Sequence, residues 1–153
     1  MNHNTPQRQH GATLIEVLIA VVVLSIGLLG LAGLQATSVK SNHSAYQRSQ
    51  ATLLAYDLAD RMRANRTEAL TNAYEVNFPT SSSSHSVSGT QAAKDKAEWL
   101  NSLARTLPEG TGKVEKDGTL VIIYVRWNDN RGRIAKSDAE ADANETFVYR
   151  TEI

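Results

Sequence analysis

An uninterrupted apolar block near the N-terminus constrains the fold of this chain more than any other sequence feature. Residues 17–34 contain no charged side chain, and a helix of that length crosses most of the hydrocarbon layer of a bilayer. The preceding residues 1–11 contain Arg8 and no acidic residue, a bias that favours a cytoplasmic location for this end. The sequence therefore predicts one membrane-inserted helix, with the rest of the chain across the membrane.

A cleaved secretory signal is the main alternative, because it also combines a basic start with an apolar core. Three observations argue against it: the apolar run is longer than a signal core, residues 34–36 do not form a small-residue cleavage site, and Glu16 stands inside the apolar stretch. A carboxylate within a membrane span costs about 2 to 3 kcal/mol. Its compensation must come from a chain terminus, another subunit or a bound proton, unless Glu16 simply reaches the membrane interface.

The residues around Glu16 form a specific motif. Residues 11–16, G-A-T-L-I-E, resemble the type IV prepilin motif, in which a glycine precedes F-T-L-I-E. The resemblance implies that a membrane peptidase cleaves between Gly11 and Ala12 and methylates the new amine of Ala12. It also implies that Glu16 pairs with the N-terminal amine of a neighbouring subunit during assembly. Ala12 departs from the phenylalanine that is usual at this position.

A second segment refines the resemblance. Residues 54–66, LAYDLADRMRANR, are similar to the end of the first helix in the PilV family of pilus-modification minor pilins, and VLSIGLLGLAGLQ at residues 23–35 extends the similarity. The resemblance implies a minor pilin that helps to initiate type IV pilus assembly at the pilus tip and that supports adhesion and twitching motility. Its implied partners are the prepilin peptidase, other minor pilins, the major pilin and, before assembly, inner-membrane lipid. A minor pseudopilin of a type II secretion system is the nearest alternative.

The periodicity predicts one long helix over residues 12–66, of which residues 12–34 are transmembrane. Gly27, Gly30 and Gly33 recur every three residues, which either lets another helix approach closely or weakens this helix. Arg61, Arg63 and Arg66 suit a helix C-terminus, as solvated side chains or as contacts to a partner pilin. The predicted apolar stripe in the second half of the helix comprises Ala45, Tyr46, Leu53, Leu54, Tyr56, Leu58, Ala59 and Met62, and Asp57 can pair with Arg61.

Residues 67–153 are predicted to form a globular head domain. It follows the long helix, and the leader of residues 1–11 is expected to be cleaved. A serine-rich loop leads to Ser88 and Gln91, which we expect to form a capping box at the start of a second helix that ends at Pro108 and Gly110. Strands are predicted near residues 113–116, 120–127 and 146–153, with a turn at Asp117-Gly118. The result is an α+β fold, a long helix packed against a small antiparallel sheet, as the pilin resemblance implies.

The composition excludes several functions. Cysteine is absent and 16 basic residues balance 16 acidic ones, so neither a thiolate site nor a general electropositive role is expected. No G-x-S-x-G motif occurs and no histidine follows His85, so we expect no enzyme and no cofactor. The histidines at positions 3, 10, 43 and 85 lack metal-ligand spacing.

Two ligand-binding alternatives remain weak. Asp138, Glu140, Asp142 and Asn144 resemble the start of a calcium loop, but Ala143 and Tyr149 occupy the positions that require glycine and glutamate, so we expect a solvated loop. A DNA-binding pilin would use Arg126, Arg131, Arg133 and Lys136, but nearby acidic residues offset their positive charge. The predicted location is the inner membrane, with the C-terminal domain in the periplasm, and then the pilus.

Overall fold

The chain forms two compact units, described here from a computed structural model that covers residues 13–79, 84–130 and 144–153. The first unit ends at Ser38, and the second runs from Val39 to Ile153. The first helix, α1, spans Leu14–Ala64 and contributes to both. A single long helix is present, as the sequence predicted, and no proline interrupts it. It ends at Ala64, two residues before the predicted end at Arg66.

The first part of α1 is apolar and fully exposed. By length and composition, it is the one candidate membrane span among the described residues, and none of its apolar window is buried within the chain. Leu18, Leu24 and Leu29, for example, each expose more than half of their surface. Such a surface is stable only in lipid or against other protein, because exposed apolar area in water is unfavourable.

The buried face of the second part of α1 is narrower than predicted and carries smaller side chains. Its buried residues are Gln47, Ala51, Ala55, Leu58, Ala59 and Met62. The expected stripe is wrong for Tyr46, Leu53 and Tyr56, which are exposed. Alanines repeating every four residues let other elements approach the helix backbone closely, so the buried face follows small side chains there and not the largest apolar ones.

Two further helices follow α1. The short helix α2 spans Arg66–Ala69, and α3 spans Gln91–Thr106. The predicted capping box at Ser88 is wrong: Thr90 caps α3, with its hydroxyl accepting from the backbone N–H of Ala93 at 3.3 Å. Gly89, at φ +93°, turns the chain immediately before this cap. The end of α3 near Pro108 agrees with the prediction.

Three strands form an antiparallel sheet in the order β1-β2-β3. They span Thr111–Asp117, Leu120–Asn128 and Asn144–Glu152, close to the predicted segments. The β1-β2 hairpin turns through Gly118 and Thr119, one residue later than the predicted Asp117-Gly118, because Asp117 still pairs with Leu120; Gly118 has φ +62°. The outer edge of β1 carries a single bridge, in which Val76 exchanges two backbone hydrogen bonds with Val114.

One hydrophobic core joins α1, α3 and the inner face of the sheet. Val121, Ile123, Val125 and Trp127 are buried on that face, as the alternation in β2 predicts. Trp99 is fully buried and donates its indole N–H to the backbone oxygen of Leu54, at 3.0 Å. This arrangement confirms the predicted α+β architecture of a long helix, a small antiparallel sheet and a second short helix.

Candidate assembly site

A reciprocal capping box begins α1 at the residues singled out by the sequence motif. The backbone N–H of Thr13 donates to Glu16 Oε2 at 2.9 Å, and the Thr13 hydroxyl donates to the same oxygen at 3.2 Å. The backbone N–H of Glu16 donates in return to Thr13 Oγ1 at 3.3 Å. The motif T-x-x-E at residues 13–16 is the sequence signature of this arrangement. A capping box was predicted for residues 88–91, and the one at residues 13–16 was not predicted.

The capping box engages only half of the Glu16 carboxylate. Both Thr13 contacts reach Oε2, whereas Oε1 has no hydrogen-bond or ionic partner within the described chain. The side chain is therefore held in one place by its own helix terminus while its second oxygen stays open to a donor from outside. Gly11 and Ala12, the predicted cleavage and methylation residues, lie outside the described residues.

The three glycines of the apolar segment face open space. A Cβ atom built at Gly27, Gly30 or Gly33 would meet nothing within 4 Å. The structure therefore gives these glycines no packing role within the chain. Their predicted role in packing against another helix remains a prediction, because it concerns contacts that a single chain does not contain.

The arginines at the end of α1 have partners within the chain. Arg61 bonds Asp57 at 3.0 Å, as predicted, and also Glu98 at 2.6 Å and Asp95 at 3.5 Å. The hydrogen bond with Glu98 is the largest cause that raises the pKa of Arg61 above its ordinary value. Its guanidinium thus bridges α1 to α3. The predicted contact of this arginine with a partner subunit stays a prediction.

The other two arginines bind the end of the sheet. Arg63 donates to the Thr151 hydroxyl and to Asp60, at 2.6 and 2.7 Å, and its hydrogen bond with Tyr149 is the main cause that lowers the pKa of that tyrosine. Arg66 reaches the backbone oxygen of Ile153 at 3.4 Å. Arg63 therefore fastens the end of α1 to β3. Arg66 begins α2 and so does not lie at the C-terminus of the long helix, as was predicted, and it contacts the backbone of Ile153 from there.

A buried polar network that was not predicted from the sequence connects α1, α2 and α3. Tyr74, 1% exposed, donates its hydroxyl to Asp95 at 2.6 Å and accepts from Asn65 at 3.2 Å. Gln91 donates to the other oxygen of Asp95 at 2.8 Å. Burial, followed by the bond to Asp95, raises the pKa of Tyr74 to about 12. The sequence feature that could have predicted this network is Asp95, an acidic residue on the apolar face of α3.

Glu68 completes this network at the N-terminus of α3. Its Oε2 accepts from the backbone N–H of Ala92 at 2.8 Å and from Asn65 at 3.0 Å. A carboxylate near the first turn of a helix satisfies a free N–H and complements the helix dipole. Residues 57–68 therefore form the junction between the long helix and the head. This structural role explains the polar residues of the segment D-L-A-D-R-M-R-A-N-R.

Within the described part of the chain, little supports the two ligand-binding alternatives, calcium binding and DNA binding. It contains no group of three or more histidine, aspartate or glutamate side chains placed to hold a metal. Arg126 lies over the ring of Phe78, with Cζ 4.2 Å from the centroid, and Lys113 pairs with Glu115 on the same sheet face. The other proposed DNA and calcium residues lie outside the described ranges, except Asn144, which begins β3.

Two known family models match the chain, one over its N-terminal part and one over the residues that follow. Residues 6–32 match a family model described as the prokaryotic N-terminal methylation motif. Residues 33–99 match a model described as type IV pilin Tt1218, or Tt1218-like. The two matches adjoin and cover both the capping box and the polar junction. No curated protein and no solved structure matches the chain.

Proposed function

Because this chain is a type IV pilin-like protein, we propose that it is a minor pilin that helps to initiate type IV pilus assembly, at or near the tip of the filament. Type IV pilins are structural subunits and not enzymes. In the proposed pathway, the precursor inserts into the inner membrane with its C-terminal domain in the periplasm. It is cleaved after Gly11, methylated on Ala12 and incorporated into a filament that supports adhesion and twitching motility.

The single observation that best supports the proposal is the position of Glu16. It is the one acidic residue in the apolar part of α1, and its Oε1 is free of partners within the described chain. A half-satisfied carboxylate in a low-dielectric setting gains most from a cation. The mature amine of a neighbouring subunit is such a cation, and the fixed Oε2 leaves Oε1 available for it.

The exposed apolar surface of residues 14–34 supports the same proposal. Lipid covers this surface in the precursor, and the helices of other pilins would cover it after assembly. Small residues at positions 27, 30 and 33 would then permit close approach between helix backbones. The subunit therefore needs no binding pocket or reactive group to act, since its proposed activity is its own incorporation.

A pair of variants separates the two roles of Glu16. Glu16→Gln keeps an acceptor for the capping box but removes the charge, whereas Thr13→Val removes both contacts of the Thr13 hydroxyl and keeps the charge. We expect both precursors to be processed normally. Surface pili, counted by electron microscopy, should be lost with Glu16→Gln and only reduced with Thr13→Val. Wild-type piliation with Glu16→Gln would show that the carboxylate acts as a cap alone.

The minor role needs a separate experiment, because every pilin shares the N-terminal features. We expect deletion of the gene to reduce surface pili and twitching, with recovery on complementation, and the chain to form a small fraction of sheared filaments by quantitative mass spectrometry. Type II secretion, measured in the same strain, should be unchanged. Loss of secretion with normal pili would instead identify a pseudopilin, and an abundant chain in filaments would identify a major subunit.

A further inference from the structure

Strand β3 forms one edge of the sheet in the described part of the chain. The sheet order is β1-β2-β3, and the backbone N–H of Ile153 donates to the backbone oxygen of Thr119, on the β2 side, at 3.1 Å. Because such bonds alternate along an antiparallel strand, Thr146, Val148 and Arg150 direct their backbone groups away from β2. Within the described ranges, no other backbone group bonds to them. An unpaired strand edge of this kind can accept an added strand.

A cavity of about 290 Å³ lies beside this edge, between α1 and the sheet. Its lining includes three residues of α1 and three of the sheet, which are Arg48, Ser49, Thr52, Trp127, Glu145 and Phe147. Thr146 also contributes to the lining, so the cavity and the β3 edge are continuous. Since alternate side chains of a strand point to one face, a strand added to β3 would place some of its side chains at this cavity.

One residue of the lining carries a buried donor without an acceptor. Trp127 is 1% exposed, and its indole N–H has no partner within the described residues. The other indole in the chain, that of Trp99, donates to the backbone oxygen of Leu54 at 3.0 Å. A buried donor left unpaired is unfavourable, so a group that brings an acceptor into the cavity would stabilise Trp127.

The lining offers both donors and acceptors, and its charges balance. Arg48 pairs with Glu145 at 3.3 Å. The hydroxyls of Ser49 and Thr52 donate to backbone oxygens of α1 at 3.0 and 2.9 Å, which leaves their own oxygens able to accept. A neutral group that both accepts and donates, such as a primary amide, therefore matches this lining better than a charged group does.

We propose that the β3 edge and this cavity bind an extended segment of a partner protein, which adds a fourth strand to the sheet and inserts an asparagine or glutamine side chain. The amide oxygen would accept from the Trp127 indole N–H, and the amide N–H groups would donate to the oxygens of the lining. A second copy of β3 does not supply this chemistry. On the corresponding face it carries Glu145, Phe147, Tyr149 and Thr151, none of which is an amide.

Titration of the ¹⁵N-labelled full chain in detergent micelles with two capped peptides, followed by NMR, tests the proposal. The peptide sequences, K-T-V-Q-V-T-K and K-T-V-L-V-T-K, differ only in the central residue. The glutamine peptide should bind about fivefold more tightly, as expected for one additional hydrogen bond, and should shift the indole N–H signal of Trp127. The indole signal of Trp99, which is already hydrogen-bonded within the core, should stay in place and serves as the folding control.

Three variants locate the binding site. Val148→Pro removes a backbone N–H that faces away from β2, a change that an edge strand tolerates, and it should abolish binding of both peptides. Lys116→Pro makes the same change on the outer edge of β1, where Val114 bonds Val76, and this matched control should bind like the wild type. Trp127→Phe should remove the preference for the glutamine peptide.

Absence of binding, equal affinity of the wild type for the two peptides, or unchanged binding to Val148→Pro would overturn the proposal. Sedimentation of the chain without peptide tests the remaining occupant. Self-association that Val148→Pro abolishes would also overturn the proposal, because a second copy would then occupy the β3 edge.

Discussion

Replacement of Tyr74 by phenylalanine isolates the polar network at the junction between α1 and the head. The ring remains, so the substitution leaves no large cavity in the core. It removes the hydroxyl that donates to Asp95 at 2.6 Å and accepts from Asn65 at 3.2 Å. Asp95, 4% exposed, is left with Gln91 at 2.8 Å and with Arg61 at the longer distance of 3.5 Å.

The expected cost follows from the charge of the acceptor. A hydrogen bond to a charged group contributes about 1.5 to 3 kcal/mol, and the two remaining donors keep Asp95 from being fully unsatisfied. We therefore expect Tyr74→Phe to lower the free energy of unfolding by about 2 kcal/mol. For a domain of this size, that corresponds to a fall of about 8 °C in the unfolding midpoint.

Alkaline pH supplies a second readout of the same bond. The pKa of Tyr74 is raised to about 12 in the folded protein, against about 10 in the unfolded chain. The folded state therefore holds this proton more tightly, and the resulting stability is complete below pH 10 and is lost as the pH rises from 10 to 12. Tyr74→Phe should lack this part of the loss, so the stabilities of the two proteins should converge in that range.

The assay is urea or thermal unfolding of the full chain, followed by the fluorescence of Trp99 and Trp127, both buried in the head. Tyr46→Phe, at an exposed tyrosine of α1, is the matched control and should change stability by less than about 0.5 kcal/mol. A Tyr74→Phe protein as stable as the wild type at pH 7, or one whose difference from the wild type is constant up to pH 12, would refute the network's assigned energetics.

Two further substitutions test other parts of the fold by the same unfolding assay. Gly112→Ala should destabilise the head by at least about 1 to 3 kcal/mol, because its Cβ would lie 2.2 Å from the Trp99 ring, whereas Gly30→Ala, which meets nothing, should leave head stability unchanged. Glu68→Ala should cost about 1 kcal/mol through loss of the cap on α3, while Glu75→Ala, at an exposed glutamate nearby, should have little effect. Equal effects of a substitution and its control would contradict the corresponding contact.

Local sequence signals predicted those parts of the fold that depend on local chemistry. The span of α1 and the inward face of β2 followed from apolar periodicity, and the hairpin followed from Asp117-Gly118. The N-cap of α3 was misplaced because Ser88 and Thr90 both carry a hydroxyl that can cap a helix. The backbone turn at Gly89 makes Thr90 the capping residue. Periodicity therefore located the elements better than their exact ends.

The long-range contacts could not be predicted in the same way. The pairing of Arg61 with Glu98 and of Tyr74 with Asp95 joins residues 37 and 21 positions apart. Such contacts depend on how α1 and α3 pack, which no local pattern encodes. The buried stripe of alanines in α1 was missed for a related reason, since apolarity ranks Tyr46 and Leu53 above Ala51 although close packing favours the smaller side chain.

The most direct test of the pilin assignment is the intact mass of the chain purified from membranes with and without the prepilin peptidase. We expect the peptidase to remove residues 1–11 and to leave one methyl group on the amine of Ala12, so that the two preparations differ by the leader less one methyl. An identical, full-length mass in both preparations would contradict the assignment. It would leave the apolar part of α1 as a permanent membrane anchor.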